Sequence, residues 1–126
     1  MKYTFTLVLF LLAFAAKSFA SDTTCVSNIP VDFKITNVIT PNNDGYNDEF
    51  KVVSQNLSDL HVTIYDRWGA LVYSYVGVNG YWDGTSFGFV LADGVYYYVA
   101  TYSTNCKLNE VITIGGFVQL IAGAGN

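Results

Sequence analysis

The chain has 126 residues, enough for one domain, and its 6 basic against 10 acidic side chains leave a net charge of −4. With no basic run anywhere, the composition argues against a nucleic-acid-binding surface. Aromatic residues make up 17% and charged residues only 13%, which favours pleated, half-buried β structure and leaves a sparsely charged surface suited to a module that docks or is displayed at the cell envelope.

Residues 1–20 read as a cleaved secretory signal peptide. Lys2 supplies the positive start, Phe5 to Ala16 form an apolar run broken only by Thr6, and Ser18-Phe19-Ala20 place small residues at both recognition positions of a cleavage site. The apolar run is short for a bilayer span. Cleavage after Ala20 leaves a mature chain that begins at Ser21. Residues 21–32 form an N-terminal lead that carries Cys25. Export would put Cys25 and Cys106 in an oxidising compartment, where two cysteines allow a single intramolecular bridge. Such a bridge would close most of the mature chain and stabilise it on the order of 4 kcal/mol in the chain-entropy picture. Neither cysteine belongs to a pair with metal-ligand spacing, and His61 is the only histidine.

A single β-domain is expected over residues 33–121. Phe33 to Ile39 alternates as the first strand. The next stretch, Thr40 to Phe50, concentrates turn formers: Pro41 fixes φ, Gly45 supplies positive φ, and Asn42, Asn43, Asp44, Asn47 and Asp48 can bond their own backbone. Phe50-Lys51-Val52 alternates again, Asn56 to Asp59 is a polar break, and Leu60 to Tyr65 puts Leu60, Val62 and Ile64 on one face with His61 opposite. Asp66-Arg67-Trp68-Gly69 turns the chain into a hairpin partner over Ala70 to Tyr75. Gly77, Gly80, Gly84 and Gly88 punctuate the stretch around Tyr81-Trp82-Asp83. Val95 to Tyr102 is the most β-prone octet, with Tyr96, Tyr98 and Tyr102 on one face and Val95, Tyr97 and Val99 on the other. Ser103 to Asn109 is polar. Val111 to Ile114 and Phe117 to Ile121 read as a last strand pair turning at Gly115-Gly116, and residues 122–126 as a flexible tail. Strands this short, with turns every eight to twelve residues or so, predict an all-β, immunoglobulin-like antiparallel β-sandwich of about seven strands.

No catalytic constellation is visible: nucleophile, base and oxyanion donors do not come together, and the acids sit in or beside turns, where backbone bonding accounts for them. Two readings of the opening turn stay open. Asn42, Asp44, Asn47 and Asp48 offer hard oxygen ligands for calcium, although the spacing departs from an EF-hand and no bidentate Glu closes the set. The other reading is a turn satisfied by its own amides. For the tyrosines, cross-strand packing competes with an exposed binding patch. Trp68 and Trp82, each close to a glycine, are expected to plug the core.

Four segments, in order, resemble one family: Ile39 to Phe50, Ile64 to Tyr73, Trp82-Asp83-Gly84-Thr85, and Leu91 to Tyr98. Together they are similar to the gliding motility-associated C-terminal domain of Bacteroidetes, the type B C-terminal sorting domain. The resemblance runs from Ile35 to Ile121. It singles out Pro41, Asn42, Asp44, Gly45, Asn47, Asp48, Phe50, Tyr65, Arg67, Trp68, Gly69, Trp82, Asp83, Gly84, Gly94, Val95 and Tyr96 as the sorting motif. It implies recognition by the type IX secretion machinery at the outer membrane, after a signal peptide has delivered the protein to the periplasm. The chain departs from the family pattern at Asn43, which stands at a common Gly, at Asp66, which stands at a common Asn, and at Ala122, where a basic residue often follows the last strand. The signal peptide leads straight into the domain with no cargo before it, as in a stand-alone module or a piece of a larger product.

Overall fold

The structure, a computed structural model, describes residues 32–123. Residues 1–31, which include the expected signal peptide and Cys25, and the last three residues lie outside that span. Among the described residues nine strands follow one another: Lys34–Ile35 (β1), Val38–Ile39 (β2), Val52–Val53 (β3), Leu57–Tyr65 (β4), Leu71–Val76 (β5), Thr85–Ser86 (β6), Phe89–Val90 (β7), Gly94–Thr104 (β8) and Lys107–Leu120 (β9). Five of them form one sheet in the order β2-β9-β8-β4-β5, while β1 pairs with β3 and β6 with β7.

The two layers meet through aromatic rings. Phe50 and Trp82, joined by an isolated antiparallel bridge, face the large sheet, where Phe50 lies 5.0 Å from the ring of Tyr98 and Trp82 lies 5.3 Å from that of Tyr96. Ile39, Val52, Leu60, Val62, Ile64, Val118 and Leu120 fill the space between. The period-2 alternation is the cause: on β4 the set Leu60, Val62 and Ile64 is buried and His61 is exposed, and on β8 Tyr96, Tyr98, Ala100 and Tyr102 are buried while Val95 and Tyr97 are not. The fold is an all-β, immunoglobulin-like sandwich. The three tyrosines of the first β8 face are therefore core packing, and a binding patch built from them is set aside.

Several elements differ from the sequence-based expectation. The first strand is two. At Thr36-Asn37 the chain leaves β3 and crosses to β9, where Val38 pairs with Gln119 and Ile39 with Leu120 in parallel. One segment thus closes the open side of the sandwich by serving both sheets, and among the described residues one strand pair is parallel and the others antiparallel. The polar break at Asn56 to Asp59 is the start of β4, distorted by a register shift between Ser58 and His61. Asn56 and Asp59 take positive φ there, 63° and 51°, and the buried Ser103 hydroxyl steadies the bulge by donating to the Asp59 carboxylate at 3.0 Å. Of Ser103 to Asn109, only Asn105-Cys106 turns.

Gly115-Gly116 is not a turn. Both residues are extended in β9, opposite Val99 and Tyr98. The glycines are required because the Tyr98 ring lies across the strand there. A β-carbon on Gly116 would fall 2.6 Å from the Tyr98 hydroxyl oxygen, so the missing side chain makes room for an aromatic ring.

Candidate functional site

Strand register gathers the loops at one end of the sandwich. Leu120 at the end of β9 pairs both with Ile39, which ends β2, and with Gly94, which starts β8. Tyr65, which ends β4, pairs with Tyr97 near the start of β8. The opening turn, the Asp66–Gly69 turn, the start of β8 and the chain after β9 therefore share this end. The Trp82-Asp83-Gly84 segment joins them: a β-carbon on Gly84 would sit 2.7 Å from Leu120 Cδ1 and 3.4 Å from Pro41 Cγ. All four segments singled out from the sequence are brought together, with Phe50, Trp82 and Tyr96 as their buried base.

The opening turn is organised around Asp48. Its Oδ1 accepts the amides of Asn42 and Asn43 at 3.0 and 2.8 Å, and its Oδ2 accepts the Gly45 amide at 2.8 Å. Asn42 Oδ1 accepts the Asp44 amide at 3.0 Å, Asp44 Oδ1 accepts the Tyr46 amide at 2.8 Å, and the Thr40 amide donates to the Asn47 carbonyl at 2.7 Å. Aiming so many amides at one carboxylate requires unusual backbone, and Asn43, Gly45 and Asn47 have φ of 59°, 86° and 52°. Asn43 fills a position where glycine is at home because Asn also tolerates left-handed backbone. Desolvation pushes the Asp48 carboxyl up, but the amides of Gly45, Asn42, Asn43 and Asp44 outweigh it and hold the group below its ordinary 3.8. In this arrangement the carboxylates of Asp44 and Asp48 turn toward the loop's own amides. Among the described residues, no three of His, Cys, Asp and Glu gather into a metal-holding group.

The other turns repeat the device. Asp66 Oδ1 accepts the amides of Trp68 and Ala70, both at 2.9 Å, while Gly69, at φ 79°, donates to the Asp66 carbonyl at 3.0 Å. Asp83 Oδ1 accepts the amide and hydroxyl of Thr85 at 3.1 and 2.6 Å, and Trp82 Nε1 donates to the Thr85 carbonyl at 2.9 Å. Asp93 Oδ1 accepts the Ala122 amide at 2.7 Å, which pins the chain just beyond β9. The Tyr96 hydroxyl donates to the Ala92 carbonyl at 2.7 Å, reproducing the tyrosine corner of immunoglobulin-like sandwiches. Burial pushes the Tyr96 phenol up, Arg67 opposes this, and Asp66 and Asp93 add to it.

Trp68 departs from expectation. It is 84% exposed, because the Asp66–Gly69 turn is the tip of the β4–β5 hairpin and no second layer lies over it. Tyr46, 77% exposed on the opening turn, gives the same end a second outward aromatic. Between the opening turn and the Asp83 segment runs a groove of about 340 Å³, lined in part by Pro41, Asp48, Glu49, Tyr81, Asp83 and Ala122. Two of these lining residues share a cation: Lys51 pairs with Glu49 and lies 5.4 Å from the centre of the Tyr81 ring. The arrangement is a rigid, amide-capped ridge carrying exposed aromatics.

A second feature escaped the sequence reading. Phe87 and Gly88 form the two-residue tip of the β6–β7 hairpin, both at positive φ, 49° and 81°. Phe87 is 95% exposed and lines an apolar groove of about 380 Å³ with Leu71, Val72 and Tyr73 of β5. The Ser86 hydroxyl holds the hairpin to β5 by donating to the Val72 carbonyl at 2.7 Å. Gly88 marked a turn in the sequence, but a bulky aromatic beside it at positive φ is uncommon, so the hairpin around it was not read.

A protein-family model for the CHU_C type IX secretion signal domain matches residues 33–120. The chain belongs to that family. The matched part of this secretion signal domain starts one residue before β1 and ends with the last residue of β9, so the family unit and the sandwich are the same object. A search of the curated proteins finds no match. No helix among the described residues of the domain is long and apolar enough to cross a membrane.

Proposed function

We propose that the domain is a non-catalytic sorting signal, read by the type IX secretion machinery at the outer membrane through the loop end of the sandwich. The observation that carries this is the convergence of the four family segments at one end. The register of β2, β4, β8 and β9 makes them a single continuous surface instead of four separate turns. In this reading Asp48, Asp66, Asp83 and Asp93 set the shape, Phe50, Trp82 and Tyr96 hold it from below, and Arg67 and Trp68 are presented outward. Residues 1–20 carry the chain to the periplasm and are removed, and the domain then takes it to the cell surface or the medium of a Bacteroidetes cell.

We also propose that Cys25 and Cys106 form a disulfide in the exported protein. Among the described residues no cysteine is free, and Cys106 stands exposed on the β8–β9 turn, where a second segment can reach it.

Fusing residues 21–126 to the C-terminus of a periplasmic reporter tests the sorting role. In a host with a type IX system the reporter is expected at the surface or in the medium, and in a mutant lacking that system it is expected in the periplasm. A reporter that stays periplasmic in both hosts sinks the proposal and leaves the stand-alone binding module as the alternative. The exposed cross-strand neighbours Tyr97 and Phe117 are then the surface to screen against glycans.

A further inference from the structure

Among the described residues β5 is the last strand on its side of the five-stranded sheet, and its ladder runs to β4 alone. The Gly77 amide donates to the Leu60 carbonyl at 2.8 Å, in the register that pairs Val76 with His61 and Tyr75 with Val62. Successive residues of a strand turn their backbone groups to opposite sides. Tyr73 and Tyr75 therefore bond β4, while Ser74 and Val76 each aim an N–H and a C=O away from the sheet. Val72 shares the outward direction, because its carbonyl accepts the Ser86 hydroxyl at 2.7 Å. Among the described residues nothing bonds the outward groups of Ser74 and Val76.

The apolar groove lies at one end of this open edge. It runs from Leu71 and Ser74 of β5 to Phe87 and Gly88 at the hairpin tip, and no charged side chain lines it. Phe87 is its odd member. Two central turn residues at positive φ, 49° and 81°, make a type I′ hairpin turn, for which Asn-Gly is a favoured pair. Holding a bulky aromatic there strains the backbone, and the exposed ring gains almost no burial in return. The strain is offset only when something packs on the ring.

We propose that β5 takes a short extended peptide segment of a partner protein as an added edge strand, with one apolar side chain lodged in the groove against Phe87. This does not depend on the sorting role. An occupant must bring backbone donors and acceptors at strand spacing to meet Ser74 and Val76, which a peptide does and a lipid chain does not. It must be uncharged where it enters the groove, because the lining offers no opposite charge. Its length is bounded as well. The Ser86 bond closes the edge at Val72, and beyond Val76 the Gly80 amide, bonded to the Gly77 carbonyl at 3.1 Å, turns the chain. The short ladder supplies affinity and the groove selects the side chain.

The test uses the mature chain, residues 21–126, labelled for amide NMR. The probes are capped seven-residue peptides of alternating threonine and valine, with leucine, isoleucine, methionine or phenylalanine at the centre. At least one is expected to give saturable shifts centred on Ser74, Val76 and Gly88. Two N-methylated forms of that peptide, blocked on alternate amides, separate strand addition from apolar contact. One form should bind like the parent peptide and the other at least about tenfold more weakly, since a strand pairs along one side only. Phe87→Asn should weaken binding at least about tenfold while the melting temperature holds or rises, as an Asn-Gly turn is favoured there. No saturable shift with any peptide, shifts elsewhere, equal binding of the two methylated forms, or undiminished binding by Phe87→Asn each overturns the proposal. So does a concentration-dependent dimer abolished by Ser74→Pro, which removes an outward amide that an edge strand can lose and would assign the edge to a second copy.

Discussion

Tyr98 of β8 and Gly116 of β9 face each other so closely that the ring occupies the volume a side chain on residue 116 would need. Gly116→Ala is therefore expected to displace the ring from the core and cost about 1–3 kcal/mol, as overpacking does. Urea unfolding followed by tyrosine fluorescence would read this as a lower midpoint with an unchanged slope. Gly115→Ala, whose β-carbon would meet only the Tyr98 carbonyl oxygen at 3.2 Å, is the milder control.

Removing the Tyr96 hydroxyl isolates the tyrosine corner. Tyr96→Phe keeps the ring against Trp82 but loses the bond to the Ala92 carbonyl. A loss of about 0.5–1.5 kcal/mol is expected in chemical denaturation, with no change in fold by circular dichroism.

Tyr75 behaves in the opposite way. Its hydroxyl is buried without a hydrogen-bond partner in good geometry. Burial pushes the phenol up to about 12, the Val52 backbone draws it slightly down, and Tyr73 adds to the rise. Since the folded value lies above the unfolded 10, the native state holds its proton longer. The associated stability is whole below pH 10 and is lost as the pH climbs toward about 12. Tyr75→Phe should leave stability at neutral pH unchanged or raise it by about 1 kcal/mol, because an unpaired polar group has gone. It should also flatten the alkaline decline, measured as melting temperature against pH.

Asp48 works with the reverse sign. Its folded carboxyl titrates below the ordinary 3.8, so its contribution is present above that pH and fades as the pH falls through the folded value. Asp48→Asn is expected to melt lower than the parent at pH 6, and the two curves should converge on acidification below 3.8. A gap that persists at low pH would assign the effect to shape and not to charge.

Trp68 separates folding from recognition. Being largely exposed, Trp68→Ala should change stability by no more than about 0.5 kcal/mol. In the reporter fusion it is expected to reduce export if the machinery reads this end of the domain. Full export with Trp68→Ala, Arg67→Ala and Tyr46→Ala together would move recognition elsewhere.

Most of the sandwich was legible where burial imposes alternation. Leu60, Val62 and Ile64, and Tyr96, Tyr98 and Tyr102, could be assigned to one face each because a period of two leaves a direct imprint on the sequence. What stayed hidden depends on a partner far along the chain. Gly115-Gly116 has the composition of a turn, and only the Tyr98 ring opposite makes it a strand. Trp68 has the composition of core, and only its place at a hairpin tip exposes it. The candidate site was readable as four motifs, but their convergence follows from β2, β8 and β9 meeting at Leu120, which no local pattern encodes. The Asp93–Ala122 and Asp66–Ala70 bonds were equally invisible as pairings, although aspartate before a turn hinted at each.

The parallel pairing of β2 with β9 also has a mechanical meaning. The described chain enters at the start of β2's side of the sandwich and leaves past β9, with Ala122 tied to Asp93. A pull on its two ends therefore slides these strands lengthwise, loading the Gln119 and Ile121 rungs together instead of opening them one at a time. Tension on the ends meets a shear clamp before it can peel the longest strand from the sheet.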